Sequence, residues 1–373
     1  PRLHLRAPDN PFYTGSSMNT AKQKKLRRIL RDMESALVTL SGGIDSTLLA
    51  KLAYEELGDR AAALTAVSPS LALAELDEAK EIAREIGIRH LLVETQEMEN
   101  PEYTSNPGNR CFFCKTELFD VAIETARAEG FRYVLEGTHI EDLSGHRPGY
   151  QAAKDHGVRS PFVEAEFTKQ DIRDFAQVLG ISTWDKPALA CLSSRFPTGT
   201  EITLERLRLI DRVEQCLKES GLRQCRARYH GDWVRIEVAD EEFPRFTASE
   251  ARERIDQEIR GMGFDRVLLD LIPYGGERGT SVTLPINGDE LETRAKGLFQ
   301  QRTRGDCEIE ALDGILSIRP IDAIDWNWLT NSSVRSDLSH AGMSWGFRNV
   351  TIDLSQRPSD RIPATVGHEK QSA

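Results

Sequence analysis

Apolar positions in the first half of the chain fall into two alternating patterns: short continuous runs, and runs spaced to make one helix face. Residues 36–40 (Ala-Leu-Val-Thr-Leu) and 61–67 (Ala-Ala-Ala-Leu-Thr-Ala-Val) read as buried strands, and 90–93 and 132–135 follow them. Helical runs separate the strands. One occupies 47–53, one passes through Leu76, Ala79, Ile82, Ala83 and Ile86, and one begins after Cys114. Strand and helix in turn predict an α/β fold, a parallel sheet covered on both faces. Ligands of such sheets sit at the carboxyl ends of the strands, where Ser41, Ser68 and Glu136 lie.

The pattern changes past the middle of the chain. Thr168 with Asp171 reads as a helix start, running to Leu179 before Gly180, and Thr203 opens another. A helix over 204–218, strands over 224–229 and 233–238 turning at His230-Gly231-Asp232, a helix over 249–262 and a strand over 266–271 then predict a smaller α+β domain. The reading therefore divides the chain into a first domain of 1–199, a second of 200–276 and an extension of 277–373. Three of the five tryptophans (Trp326, Trp328, Trp345) lie in the extension, so at least part of it is expected to order, with the last dozen residues disordered. No internal repeat and no low-complexity tract is apparent.

A chain of 373 residues suits two domains plus an appendage, and its 39% hydrophobic and 29% charged residues suit a soluble enzyme. No apolar stretch approaches the ~20 residues that span a bilayer. The first nineteen residues lack the pattern of a secretory signal, so the six cysteines are expected in a reducing cytoplasm, without disulfides. A net charge of −11 disfavours extended nucleic-acid binding and leaves small anionic substrates open.

Ser41-Gly42-Gly43-Ile44-Asp45-Ser46 stands where the first strand gives way to a helix. Glycines allow close approach of an anion, the first helical N–H groups point at it, and the helix dipole favours it. Ser41 and Ser46 add hydroxyl donors, and Asp45 is suited to the Mg2+ that accompanies a polyphosphate. The Walker order Gly-x-x-x-x-Gly-Lys-[Ser/Thr] occurs nowhere in the chain.

Cys111-Phe112-Phe113-Cys114 opens a helix, whose N–H groups are expected to lower the thiol pKa values. Alone the pair fits zinc, redox chemistry or iron–sulfur ligation. Cys191, in a polar loop, adds a third thiol: three suit a 4Fe-4S cube with one open iron, whereas zinc would recruit a fourth ligand such as His139 or His146. Cys191 could also be a small buried residue. Cys216 and Cys225 read as packing residues, and Cys307 has no assignment. Arg226 and Arg228 alternate on one strand, so they share a face on which two guanidiniums can clamp a phosphate or simply be solvated. Glu214 is their ion-pair partner or a further site residue. Lys115 stands where it could neutralise phosphate or cluster charge.

The loop resembles the PP-loop of ATP pyrophosphatases. With Thr65–Ser70, Asn100-Pro101-Glu102-Tyr103, residues 109–119, Arg147-Pro148-Gly149, residues 158–161, 183–188, 191–195 and 226–232, the chain from about Leu37 to Tyr274 resembles the LarE family of ATP-dependent sulfur-insertion enzymes of nickel-pincer nucleotide biosynthesis. The resemblance implies that ATP adenylates a carboxylate of pyridinium-3,5-biscarboxylic acid mononucleotide, releasing pyrophosphate, and that sulfur then displaces AMP. One branch takes the sulfur from a single cysteine matching Cys191; the other uses three, matching Cys111, Cys114 and Cys191, to hold a 4Fe-4S cluster carrying an extra sulfide. All three are present, which favours the cluster. The resemblance also implies ATP and magnesium at Ser41, Gly42, Gly43, Asp45 and Ser46, with Ala66 and Val67 beside the adenine. Lys115, Ser194, Arg195, Glu214, Arg226 and Arg228 fall on the substrate side, with Cys191, Asp45, Lys115 and Arg195 as the catalytic set. A sulfur donor or sulfide, a homo-oligomer and no membrane partner complete the expectation. Thr138-His139 departs from the family's Thr-Asn, and the extension of 277–373 exceeds the family's usual length, which leaves the acceptor open. An oligomerisation arm, a docking element and a lid are the roles considered for it. The competing readings are a PP-loop tRNA thiolase and a non-catalytic nucleotide- or zinc-binding regulatory module.

Overall fold

The computed structural model describes residues 17–143, 148–186, 190–279, 288–321 and 324–355. The chain folds as two compact units, one of residues up to Leu192 with Thr198–Leu204, the other of Ser193–Pro197 and the chain from Glu205 onward.

The first unit contains α1 (Ser17–Arg31), β1 (Ala36–Thr39), α2 (Ile44–Leu57), β2 (Ala61–Val67), α3 (Leu73–Ile86) and β3 (Arg89–Glu94). It continues with α4 (Pro101–Thr104), α5 (Arg110–Glu129), β4 (Tyr133–Leu135), α6 (Pro148–Asp155), α7 (Pro161–Glu164) and α8 (Lys169–Val178). Its four strands are all parallel, in the order β3-β2-β1-β4. One face packs against α1, α2, α7 and α8 through Leu26, Leu48, Leu52, Phe162, Phe167 and Phe175; the other packs against α5 and α6 through Phe119, Ala122 and Ala152. That is the predicted α/β sheet buried on both sides. Thr168 and Asp171 form the reciprocal capping box of α8, a cap worth about 1 kcal/mol. The strand order reverses direction between β1 and β4, the place where open α/β sheets leave a crevice for ligands.

The second unit holds α9 (Leu204–Glu219) from Glu205 on, β5 (Cys225–Tyr229), β6 (Trp233–Val238), α10 (Ser249–Gly261) and β7 (Arg266–Asp270). Then come α11 (Gly288–Thr303), β8 (Cys307–Leu312), β9 (Ile315–Pro320), α12 (Ser332–Ser344) and β10 (Asn349–Asp353). The second set repeats the first. In each, the first two strands pair antiparallel and the last lies parallel to the middle one. The sheet order β5-β6-β7-β10-β9-β8 reads the same from either end about the antiparallel β7–β10 pair. Reciprocal contacts cross this pseudo-two-fold axis. Leu271 N–H donates to Val350 O at 2.9 Å, and Leu354 N–H to Val267 O at 3.0 Å. Arg252 of α10 lies over the Trp326 ring at 4.0 Å, while Arg335, its counterpart in α12, lies over Phe243 at 3.8 Å.

The expectation of no internal repeat is therefore corrected. The visible matches are Ser249-x-x-Arg252 with Ser332-x-x-Arg335, and Gly263-Phe264-x-x-Val267-x-x-Asp270-Leu271 with Gly346-Phe347-x-x-Val350-x-x-Asp353-Leu354. Elsewhere apolar positions kept their periodicity while the polar ones diverged, and periodicity alone defines an αββαβ unit without identifying it as a copy. The described part of 277–373 supplies this second copy.

Candidate functional site

β1 ends at Thr39, whose hydroxyl donates to Leu135 O at 3.1 Å, tying the two strands that border the crevice. The chain then turns through Gly42, whose φ of +74° is a left-handed value that a side chain would strain, and Gly43 begins α2 without a side-chain cap. Ser46 closes the loop on itself: its hydroxyl accepts from Ser41 N–H at 3.1 Å, lies 3.2 Å from Ser41 Oγ and donates to Gly43 O at 3.1 Å. Across the crevice Gly137 abuts this turn. A Cβ there would stand 3.1 Å from both Asp45 Cβ and Ser46 N, so a side chain would push the segment after β4 and the helix start apart by a few tenths of an ångström.

Two lysines outside the sequence-based set serve the loop. Lys169 Nζ reaches both Asp45 oxygens at 2.6 and 2.7 Å, and Lys186 Nζ donates to Gly42 O at 3.3 Å while pairing with Glu78. Both are more than 100 positions from their partners in sequence, so only the fold brings them in. Ala66 and Val67 lie half-buried at the end of β2, next to β1.

Beyond β2, Ser68 bonds Ser70 at 2.7 Å and donates to Glu97, a carboxyl buried at 2% exposure. Ser70 O in turn accepts from Leu192 N–H at 2.9 Å, which pins the loop carrying Cys191 beside the strand end. Cys111 and Cys114 occupy the first two turns of α5. The thiol of Cys114 is pushed up to about 12 by burial, with the nearby charges of Cys191, Glu97 and Cys111 adding to it and Lys115 opposing. The expected lowering by the helix start is corrected for this residue: the field of a helix end fades within a turn, and burial outweighs it. None of Cys111, Cys114 and Cys191 is in a disulfide, and neither are the other three cysteines.

Cys111 and Cys191 both act on the Cys114 thiol, one from the same helix start and the other from a loop, and three thiols are the donor set that a three-thiolate centre would need. Among the described residues, no three His, Cys, Asp or Glu side chains stand together as a group that could hold a metal ion. His139 pairs with Asp142 at 3.2 Å, and His146 lies outside the described residues. Lys115 lies with its ammonium 5.5 Å from the Phe119 ring centre.

The other residues that the resemblance puts on the substrate side, Lys115 apart, belong to the second unit. Arg195 and Glu214, 2% and 3% exposed, form a two-pronged pair at 2.7 and 3.0 Å, and Glu214 also accepts from Ala227 N–H at 3.0 Å. Ser194 Oγ accepts from Arg195 Nη1, and Ser194 O from Arg228 Nη1, both at 2.8 Å. Arg226 is buried, donating to Cys225 O at 2.8 Å and lying 5.1 Å from the Tyr274 ring. The partner of Arg228 is Glu237 at 2.8 and 3.0 Å, not Glu214. Burial alone would raise the Glu237 carboxyl, but Arg235, Arg228 and Arg278 together lower it to about 2. Hairpin register could have revealed this residue, because Glu237 stands directly across from Arg226.

A family profile described as asparagine synthase matches residues 23–106, the stretch that contains the loop. The pyridinium-3,5-bisthiocarboxylic acid mononucleotide synthase of Lactiplantibacillus plantarum is 32% identical over 275 residues, 74% of this chain and 98% of that protein. The chain belongs to the LarE family. An uncharacterised protein of Synechocystis is 46% identical over 257 residues, 69% of this chain and 96% of its own length. The tRNA-specific 2-thiouridylase MnmA of Treponema denticola is 26% identical over 187 residues, 40% of this chain and 51% of that protein. More than a quarter of the chain lies outside the alignments with the Lactiplantibacillus and Synechocystis proteins. Among the described residues, no helix is long and apolar enough to cross a membrane.

Proposed function

We propose that this LarE-family chain is an ATP-dependent sulfurtransferase that converts a carboxylate of pyridinium-3,5-biscarboxylic acid mononucleotide into a thiocarboxylate. The observation that carries this reading is one compact unit containing both a Ser-Gly-Gly-x-Asp-Ser turn at the sheet crevice and three cysteines outside any disulfide, Cys111 and Cys191 each acting on the buried Cys114. A carboxylate oxygen does not leave unaided. Its attack on the α-phosphorus of ATP forms an acyl adenylate and expels pyrophosphate; sulfur then adds to the carbonyl carbon, and AMP departs with the electron pair of the C–O bond. The helix start, Ser41 and Ser46 would receive the leaving phosphates, and Ala66 and Val67 would flank the adenine. Asp45 would hold Mg2+ with the triphosphate, its carboxylate otherwise neutralised by Lys169. Lys115, Ser194 and Arg195 are assigned to the acceptor, with Glu214 holding Arg195 in place. Arg226 and Arg228 are assigned to the acceptor's phosphate, with Glu237 fixing the plane of Arg228.

Cys111, Cys114 and Cys191 would hold a 4Fe-4S cluster, which supplies an exchangeable sulfide; the alternative donor is the sulfur of Cys191 itself, leaving dehydroalanine. Anaerobically purified protein is expected to carry iron and acid-labile sulfide that Cys114→Ser abolishes. Colourless protein carrying zinc instead would replace this reading with that of a regulatory module. The similarity to a tRNA thiouridylase favours a second acceptor, a nucleobase, but a net charge of −11 opposes it, and salt-sensitive tRNA binding is the measurement that would support it.

A further inference from the structure

The two copies of the αββαβ unit differ in the charges that line the same face of the sheet. In the first copy the sheet face bearing Arg226 and Arg228 is closed by a buried cluster: Arg235 pairs with Asp270, which is fully buried and also accepts from Asn349 Nδ2 at 2.7 Å. Register makes Asp353 the counterpart of Asp270 and Ser317 that of Arg235. The local backbone is the same in both copies. Ile272 N–H donates to Asp270 Oδ1 at 3.0 Å, and Ser355 N–H to Asp353 Oδ1 at 2.9 Å.

With serine in place of arginine, the second copy lacks the guanidinium its carboxylate would meet, and a cavity of about 370 Å³ opens at that place, lined by Ser317 and Asp353. Small-molecule sites run from about 300 to 1,000 Å³. Asp353 is 2% and Ser317 3% exposed, so the carboxylate is held away from bulk water. The other charges of the wall cancel in pairs: Arg266 with Glu310, Arg319 with Glu308, and Lys296 with Glu292 at 2.7 Å. Asp353 is left over, and among the described residues no cation meets it. Glu308 and Glu310 also stand at the positions of Arg226 and Arg228, so the second copy carries the opposite sign from the first.

We propose that the second copy is a binding site for a small organic monocation with N–H donors, a guanidinium or primary ammonium, seated on Asp353 in the space that Arg235 fills in the first copy. A buried carboxylate favours such an ion through charge-assisted hydrogen bonds. A single surplus negative charge in the wall sets the preference for one positive charge over two. The sign also separates this site from any that takes phosphate.

The test is calorimetric titration of the full chain with methylguanidinium chloride at millimolar concentration, ionic strength being matched with sodium chloride. The expected result is saturable binding of one equivalent, weakened about tenfold or more by Asp353→Asn and abolished by Ser317→Arg, which supplies the guanidinium internally and is expected to raise the melting temperature. Tetramethylammonium, of equal charge but without N–H donors, is expected to bind at least about tenfold more weakly. Absence of saturable binding, equal binding by Asp353→Asn with an intact tryptophan spectrum, or equal affinity for tetramethylammonium overturns the proposal.

Discussion

Removal of Glu214 is expected to be among the most damaging single substitutions in the second unit. Its carboxylate holds Arg195 in a two-pronged pair with both side chains almost wholly buried, and it also satisfies the Ala227 N–H. Glu214→Leu strands a guanidinium without its counter-ion, a loss of about 3–5 kcal/mol, and leaves a buried amide unpaired for about 1 kcal/mol more. The double variant Arg195→Met/Glu214→Leu removes both charges at once. It is expected to be more stable than the sum of the single effects predicts by about 2 kcal/mol or more. Urea unfolding followed by tryptophan fluorescence is the assay, because Trp233, Trp326, Trp328 and Trp345 lie in the unit concerned and only Trp184 in the other. Glu129→Gln serves as the control: its pair with Arg89 is exposed, and such pairs contribute about 0–1 kcal/mol. A cost below about 1 kcal/mol for Glu214→Leu, or strict additivity in the double variant, would refute the view that burial makes this pair matter.

The site yields three further expectations. Asp45→Asn should lower ATP-dependent pyrophosphate release about 100-fold or more with the melting temperature little changed, and unchanged release removes Asp45 from the ATP site. Cys191→Ser should still release pyrophosphate but form no thiocarboxylate by either sulfur route; Cys114→Ser should also lose product if a cluster supplies the sulfur and keep a single turnover if Cys191 does. Glu237 is ionised in the folded state down to about pH 2 against an ordinary 4.5, so its stabilisation is full above pH 4.5 and is lost as pH falls from there through about 2. The difference amounts to about 3 kcal/mol. Over that window the stability advantage of the native chain over Glu237→Gln should shrink, and an advantage independent of pH would contradict the ion-pair account.

What the sequence disclosed was local. Continuous apolar runs and helix-spaced runs placed β1 to β4 and the α2, α3 and α5 helices in order, because a buried parallel strand and an amphipathic helix each leave a period in the chain. Thr168 with Asp171 announced its cap for the same reason. The contacts that depend on the closed fold left no such trace. Lys169 on Asp45 and Lys186 on Gly42 join residues more than 100 positions apart, and Glu97 meets Cys114 only through the fold; residues 183–188 carried part of the resemblance without singling out Lys186, and nothing around Lys169 or Glu97 marked either. The Cys114 thiol went the opposite way from the helix-start argument because burial was invisible. The duplication was hidden by its own divergence: Arg226, Arg228 and Arg235 became Glu308, Glu310 and Ser317, so the residues that would have attracted notice are those that changed.

The central claim is that ATP energy is used to exchange a carboxylate oxygen for sulfur. Its most direct test is mass spectrometry of the small molecule and the protein after anaerobic incubation with ATP, Mg2+ and the dicarboxylate mononucleotide. A product heavier by about 16 Da per exchanged oxygen, formed together with AMP and pyrophosphate, is the expected result, with the protein mass unchanged if the cluster supplies the sulfide. A protein lighter by about 34 Da assigns the sulfur to Cys191 instead. An acceptor recovered at its original mass while ATP is consumed would contradict the account.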